Sequence, residues 1–293
     1  MPFDDAGVVG REDLEAVRRV AIAAGQAILA IYEDPARWAV QEKSDASPLT
    51  AADLAAHDVI AEGLRRLAPT IALLSEESAE DELSQRATWP SCWVVDPLDG
   101  TREFLARNGE FSVNIAWVRG GRAVLGVVHG PVTGISYVAA EGLGAWRVAA
   151  SDAGGVAAEA IWQPVRVAPL PQPGERPLHL TVSRRHGLEQ LQVFETALQE
   201  VWGMVESVPA GSAFKICAVA EGVADAYPRF GPTSEWDTAA AQCVLEAAGG
   251  AVLRLDGTPL DYNRKENILN PFFIALGDTS LPWRDWLGET TDG

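Results

Sequence analysis

Apolar positions recur along residues 11–33 at Val17, Ala21, Ala24, Ile28 and Ile31, in steps of four, three, four and three. That spacing predicts one face of a long amphipathic helix. Residues 34–49 lose the period and read as a polar, irregular connection. A second helix is predicted from Ala51 to about Leu67, with Leu54, Ile60, Leu64 and Leu67 turned inward. Ile71 to Leu74 is a short apolar strand that ends in Ser75-Glu76-Glu77, and residues 78–90 are acidic and loop-like. Trp93-Val94-Val95 is the end of a buried strand, which Pro97 should stop, because proline cannot continue a ladder. After a short helix at 101–106 the period changes to two. Phe111 to Val118 alternates, Gly120-Gly121 signals a hairpin, and Val124–His129 and Ile135–Ala140 read as further strands. An antiparallel meander flanked by helices is an α+β pattern.

Residues 150–177, rich in Ala, Gly and Pro, are the best boundary candidate. They divide the chain into an N-terminal α+β half, residues 1–165, and a C-terminal α/β half, residues 166–293. The second half restarts with a strand at 178–182 that runs into Ser183-Arg184-Arg185-His186-Gly187. A helix at 188–200, a strand at 202–208, the loop Pro209-Ala210-Gly211-Ser212, a helix at 213–222 and a strand at 224–228 follow. The helix Trp236–Ala248 stops at Gly249-Gly250, a usual C-terminal glycine signal. Two short strands, 251–255 and 272–276, finish the pattern.

Composition narrows the class. The chain has 293 residues, 47 % of them apolar, enough for a real core in one large domain or two modest ones. No apolar run is long enough for a membrane span, and the acidic N-terminus lacks the apolar core of a signal peptide. Three cysteines, Cys92, Cys217 and Cys243, lie too far apart for a metal motif or a disulfide framework, which suits a reducing cytoplasm. A net charge of −18 argues against nucleic-acid polymers and anionic membrane surfaces. The only lysines are Lys43, Lys215 and Lys265, so a phosphate substrate would have to meet a positive field built locally.

Three apolar-to-acidic junctions are the candidate chemistry: Leu74 into Glu76-Glu77, Val95 into Asp96-Pro97-Leu98-Asp99, and Trp236 into Asp237. Asp96 and Asp99 repel each other unless a cation lies between them, and oxygen ligands favour Mg²⁺. Gly100 lets the backbone approach an anion, and a helix starting near Thr101 would point free N–H groups at it. Metal plus anion suggests phosphate-ester chemistry. Each junction also has a plain structural reading. The Asp96–Gly100 stretch is a common turn composition, Glu76 and Glu77 precede further acidic loop residues, and Asp237 suits a helix start. Lys215 and Arg229, read alone, are ordinary helix and loop cations. No Cys or His sits at the turn, which argues against covalent phosphocysteine or phosphohistidine routes.

Trp93-Val-Val-Asp-Pro-Leu-Asp-Gly-Thr-Arg-Glu-Phe104, with Trp236-Asp-Thr-Ala-Ala-Ala241 and Ala247-Ala-Gly-Gly250, resembles the paired signature of the inositol monophosphatase superfamily. The resemblance runs from about residue 10 to 276. It implies an α/β/α/β/α layered sandwich and a Mg²⁺-dependent, lithium-sensitive phosphatase with two or three Mg²⁺ per site. Lys43-Ser-Asp-Ala-Ser-Pro-Leu-Thr50, Leu74-Ser-Glu-Glu77, Arg107-Asn-Gly-Glu-Phe111, Ser183-Arg-Arg-His186, Gly211-Ser-Ala-Phe-Lys215 and Tyr227-Pro-Arg-Phe-Gly-Pro232 are similar to the 3'(2'),5'-bisphosphate nucleotidases of the CysQ type. These convert adenosine 3',5'-bisphosphate, a by-product of sulfate activation, to AMP and phosphate.

Carried over residue by residue, the resemblance implies metal ligation by Glu76, Asp96, the Leu98 carbonyl, Asp99 and Asp237. It implies that Asp45 and Thr101 orient and deprotonate the attacking water. Gly100, Thr101 and Arg102 match the phosphate-cradling turn. Ser183, His186, Ser212, Lys215 and Arg229 match positions holding the nucleotide and its second phosphate. Arg185 and Ala46 depart from the usual small residue and Asn, and Arg102 stands where Lys is common. The implied partner is a small nucleotide handled by a cytoplasmic monomer or homodimer, free or peripheral at the inner membrane. An inositol-phosphate or sugar-bisphosphate phosphatase and a non-catalytic nucleotide sensor are the competing readings.

Overall fold

The computed structural model describes Phe3, residues 8–34, Trp38, and residues 41–42, 48–79, 84–150, 160–183 and 187–286. The first helix, α1, spans Arg11–Tyr32 and buries Val17, Ala21, Ala24, Ile28 and Ile31, the face its period marks. The strands β1 (Gln41–Glu42) and β2 (Pro48–Leu49) form a two-residue antiparallel ribbon inside the stretch that read as irregular. Helix α2 spans Ala51–Leu67, and its start is fastened by a capping box: the Thr50 N–H donates to Asp53 Oδ2 at 2.8 Å and the Ala52 N–H to Thr50 Oγ1 at 3.1 Å. Leu54, expected inward, is 46 % exposed. The buried face runs instead through Ala52, Asp53, Ala56, Ile60 and Leu64. Small residues win there because α1 and α2 pack closely: a Cβ on Gly63 would meet the Val20 methyls at 2.8 and 2.9 Å.

The first sheet has seven strands in chain order, β3 (Ala72–Ser75), β4 (Ser91–Asp99), β5 (Ser112–Arg119), β6 (Arg122–His129), β7 (Ser136–Ala140), β8 (Gly144–Ala150) and β9 (Ala160–Pro164). Only the β3–β4 pair is parallel; the rest form a meander. Two features differ from the sequence expectation. Strand β4 does not stop at Pro97. Its pairing with β5 shifts between Asp96↔Asn114 and Asp99↔Ser112, three steps on β4 against two on β5. The extra residue makes a bulge, and Pro97 sits inside it, where a missing N–H costs no ladder bond. The Leu98 N–H turns instead to Asp96 Oδ1 at 3.0 Å. Strands β8 and β9 were not anticipated. Strand β9 is short and lies at the sheet edge within the Ala-, Gly- and Pro-rich stretch, so no alternation marks it.

The second sheet is mixed. Strands β10 (Leu178–Leu180), β11 (Val205–Ser207), β12 (Ala226–Arg229), β13 (Ala251–Arg254) and β14 (Phe273–Leu276) stand in the order β11-β10-β12-β14-β13. The remaining helices are α3 (Thr101–Leu105), α4 (Leu188–Trp202), α5 (Phe214–Ala220) and α6 (Glu235–Ala247). Three hydrophobic cores define the layering. One packs α1 and α2 on the first sheet, one packs α5 and α6 between the two sheets, and one packs α4 on the outer face of the second sheet. The order is α/β/α/β/α, with helices flanking a mainly antiparallel sheet as expected of an α+β fold. Among the described residues no helix is long and apolar enough to cross a membrane.

Helix α6 is buried nearly all round, from Thr238 through Leu245. It lies on β6 at Gly126, where a Cβ would come within 2.3 Å of the Ala240 carbonyl oxygen. Neither partner at that crossing can yield, because one is helix backbone and the other is sheet backbone. Gly126→Ala is therefore expected to cost about 1–3 kcal/mol through overpacking. The measurement is the urea midpoint, and an unchanged midpoint would contradict the close helix–sheet contact.

Candidate active site

Asp96, Asp99 and Asp237 bring carboxylate oxygens within 4.8 Å of one another. Each reaches that point by a different local device. Asp96 is 1 % exposed on the last regular residue of β4 before the bulge, and the bulge carries Asp99 back onto the same edge. Asp237 is the third residue of α6, and its Oδ2 accepts the Ser234 N–H at 2.7 Å. Helix capping and membership of the cluster are thus two roles of one side chain. Glu76 follows β3 directly, and its N–H donates to the Val95 carbonyl at 3.1 Å, one residue before Asp96. His57 braces this turn through Nδ1 and Ser75 Oγ at 2.9 Å.

The electrostatics identify the full cluster. Burial pushes the Asp96 carboxyl well above its ordinary range, and the charges of Glu76, Asp99, Asp237 and Asp53 add to the rise. Asp237 is pushed up to about 8 from an ordinary 3.8, by burial of its carboxyl and then by Asp99 and Glu76, against the pull of the Ser234 N–H and Arg229. Gathered carboxylates, with no sulfur or imidazole among them, fit a hard divalent cation. Such a cation offsets the repulsion that the fold otherwise bears.

Asp99 is the most heavily hydrogen-bonded carboxylate of the cluster. Its Oδ2 accepts the Ala213 N–H at 2.7 Å and Asn114 Nδ2 at 3.3 Å, with Ser112 Oγ at 3.5 Å. Ser212 Oγ donates to the Asp99 carbonyl at 2.7 Å and lies 3.0 Å from Ser112 Oγ. Ser212 adopts φ +54°, a left-handed conformation that a non-glycine residue holds only when its surroundings require it. The loop before α5 is therefore clasped onto the signature turn. Beside it, Gly100 has φ +95° at the start of α3.

Among the described residues, Thr101 is partnered by Asp53. Its Oγ1 lies 3.2 Å from Asp53 Oδ1 and 3.4 Å from the Leu98 carbonyl oxygen. Asp45, the expected partner, lies outside the described residues, as does His186. Asp53 is 1 % exposed, and its other oxygen accepts from Thr50. In the sequence only the capping-box spacing Thr50-Ala-Ala-Asp53 marks it, and that spacing points to a helix start, not to chemistry. Ser112 and Asn114 also escaped notice, although polar residues at buried positions of β5 are the one signal for them.

The expected phosphate and nucleotide residues converge. Gly100, Arg102, Ser183, Ser212, Lys215 and Arg229 line a cavity of about 200 Å³ together with Asp99. An adjoining cavity of about 90 Å³ shares Asp99, Ser212, Lys215 and Arg229 and reaches Asp237. Arg229 Nη1 donates to Ser183 Oγ at 2.8 Å and Nη2 to the Pro232 carbonyl at 2.7 Å, while its buried Nε has no hydrogen-bond partner among the described residues. Lys215 Nζ stands 5.8 Å from the centre of the Tyr227 ring and donates to the Ser212 carbonyl at 3.2 Å. Burial pushes the Tyr227 phenol up to about 12, so it stays neutral beside these cations.

A model of the inositol monophosphatase family matches residues 11–276. The chain belongs to the inositol monophosphatase family. The 3'(2'),5'-bisphosphate nucleotidase CysQ of Escherichia coli K12 is 45 % identical over 260 residues, covering 89 % of this chain and 98 % of that protein. The protein of the same name from Haemophilus influenzae is 32 % identical, covering 92 % of this chain and 95 % of its own. The crystal structure of CysQ from Bacteroides thetaiotaomicron superposes with a TM-score of 0.76 at 38 % identity, over 91 % of this chain and 97 % of that one.

The raised Asp237 carboxyl contributes to the pH dependence of stability. The unfolded chain releases that proton near 3.8 and the folded, metal-free protein near 8. Between those values the native state binds more protons, so this group's contribution to stability falls as pH rises and levels off above about 8. Melting in EDTA should show a decline in Tm across that window that is smaller in Asp237→Asn. Added Mg²⁺ should raise Tm most at the alkaline end. A decline of equal size in the variant would refute the assignment.

Proposed function

We propose that the protein is a Mg²⁺-dependent 3'(2'),5'-bisphosphate nucleotidase that removes the 3'-phosphate of adenosine 3',5'-bisphosphate, giving AMP and phosphate in sulfur metabolism. The observation that carries this reading is the direct adjacency of the carboxylate cluster and a cavity holding Lys215 and Arg229, joined through Asp99 and Ser212. Substrates with one phosphate need only the cluster and its turn. A second, non-reacting phosphate needs cations a few ångströms away, and this acidic chain keeps two of them there. The 45 % identity to the CysQ nucleotidase of Escherichia coli supports the same substrate.

Glu76, Asp96, Asp99, Asp237 and the Leu98 carbonyl would hold the metal. When bound, Mg²⁺ offsets charge on the transferring phosphoryl group and acidifies the attacking water. Thr101 Oγ1, held by Asp53 Oδ1, is placed to take the water's proton as its own passes to Asp53. The water oxygen bonds to phosphorus, the bond from phosphorus to the ribose 3'-oxygen breaks, and that oxygen is protonated. Gly100 and Arg102 cradle the reacting phosphate. Arg229 offers a planar fork and Lys215 a point charge to the other phosphate.

Phosphate release from adenosine 3',5'-bisphosphate, inositol 1-phosphate and fructose 1,6-bisphosphate, compared at equal Mg²⁺, tests the substrate. The nucleotide should be clearly preferred. Preference for either sugar phosphate, or tight nucleotide binding without turnover, would overturn the proposal.

Two variants test the residue roles. Asp96→Asn should abolish turnover with the fold intact by circular dichroism. Asp53→Asn should lower kcat by about 10²–10⁴-fold, the usual worth of a positioned base, with KM little changed. A near-normal kcat in Asp53→Asn would leave the water-activating role to another group.

A further inference from the structure

Glu235 stands two residues before Asp237 and is 0 % exposed. Both of its oxygens are engaged. Oε1 accepts from Lys265 Nζ at 2.8 Å, and Oε2 accepts the Asn263 N–H at 2.6 Å. Its own N–H donates to the Ile268 carbonyl at 3.0 Å. Asn263 has φ +53°, and its Nδ2 donates to the Arg86 carbonyl at 2.9 Å. Arg86, itself buried, returns the bond to Asn263 Oδ1 at 3.3 Å and donates to the carbonyls of Lys265 and Glu266. Arg86 belongs to the segment between Glu76 and β4. A continuous hydrogen-bonded chain therefore joins the part of the first half that bears Glu76 and Asp96 to the first turn of α6. Arg86, Asn263, Lys265 and Glu235 line neither of the two cavities at the site.

Stability alone does not account for a buried pair of this kind, since well-packed apolar residues often do as well or better. Its location gives it another purpose. Asp237 sits among carboxylates that repel it, in the first turn of a helix whose later turns are packed all round, so the repulsion bears on that first turn. Fixing Glu235 on two sides steadies that turn, and Lys265 cancels a charge that would add to the repulsion. We infer that Glu235 is a positioning residue: the Arg86–Asn263–Lys265–Glu235 chain sets the register of Asp237 against the first-half ligands. This inference rests on Asp237 being a metal ligand.

The test reads Mg²⁺ binding without substrate, by calorimetry and by the Mg²⁺ concentration that half-saturates the rise in Tm. Glu235→Gln and Lys265→Met should raise that midpoint about tenfold or more, as loss of groups that orient ligands usually does. Lys265→Arg should restore most of the affinity. The control is Asp225→Asn, which breaks the bidentate pair of the buried Asp225 with the half-buried Arg176 (2.7 and 2.8 Å) at the other end of β12. It should lower Tm and leave the Mg²⁺ midpoint unchanged. Wild-type midpoints in both Glu235→Gln and Lys265→Met overturn the inference, as does an equal shift in the control. If Glu235→Gln does not fold, Lys265→Met with a wild-type midpoint overturns it. A wild-type protein with no Mg²⁺ response refutes the metal reading of Asp237 itself, and this inference with it.

Discussion

Carboxylates gathered out of water repel one another, and most of the local structure around this site answers that repulsion. Asp96, Asp99 and Asp237 meet within 4.8 Å, with Glu76 and Asp53 close enough to raise the Asp96 carboxyl further. An unaided loop would open under such a load. Here each side chain leaves from the end of a regular element, and backbone N–H groups face several of the oxygens. Asp99 alone is met by one backbone amide, one side-chain amide and one hydroxyl. These hydrogen bonds hold the carboxylates together from the protein's own framework.

The same constraint explains how an acidic protein handles an anion. Its net charge of −18 sets an unfavourable field at long range, but salt screens that field within about 10 Å. Within that distance Arg102, Lys215 and Arg229 stand around one cavity. The two cations behind it are held in different ways. Arg229 is fixed by Ser183 and Pro232, and Lys215 lies over the neutral Tyr227 ring. The nucleotidase reading proposed above rests on where these few cations stand, not on how many there are.

Periodicity made most of the fold legible. Helices α1, α2, α4 and α6 and the central strands of the first sheet follow from it, because each buries one continuous face or a full apolar run. The failures have physical causes. Pro97 was read as a strand end because proline lacks an N–H, yet a bulge removes the need for one. Leu54 was placed inside by its apolarity, while alanines took that face to let two helices approach. Strand β9 carries no pattern because an edge strand of five residues is only half covered. At the site, the expected residues that the structure brings together are those with runs or turns around them in the sequence. Asp53 was missed because its only local mark, the capping box, already had a sufficient explanation. Ser112 and Asn114 were missed because their partner, Asp99, is brought to them only by the bulge.

The middle layer of the sandwich has a consequence for how the chain is made. Helix α6 covers the first sheet at Gly126 and Ala240, and it also delivers Asp237. A ribosome releases the whole seven-stranded sheet before it has synthesised that helix. For that interval the nascent sheet has one naked apolar face and a half-built cluster of acids beneath it. No phosphate-handling centre exists until the last third of the polypeptide folds back over the first. A chain cut short before α6 would lack Asp237 and leave that apolar face of the first sheet uncovered, prone to aggregation.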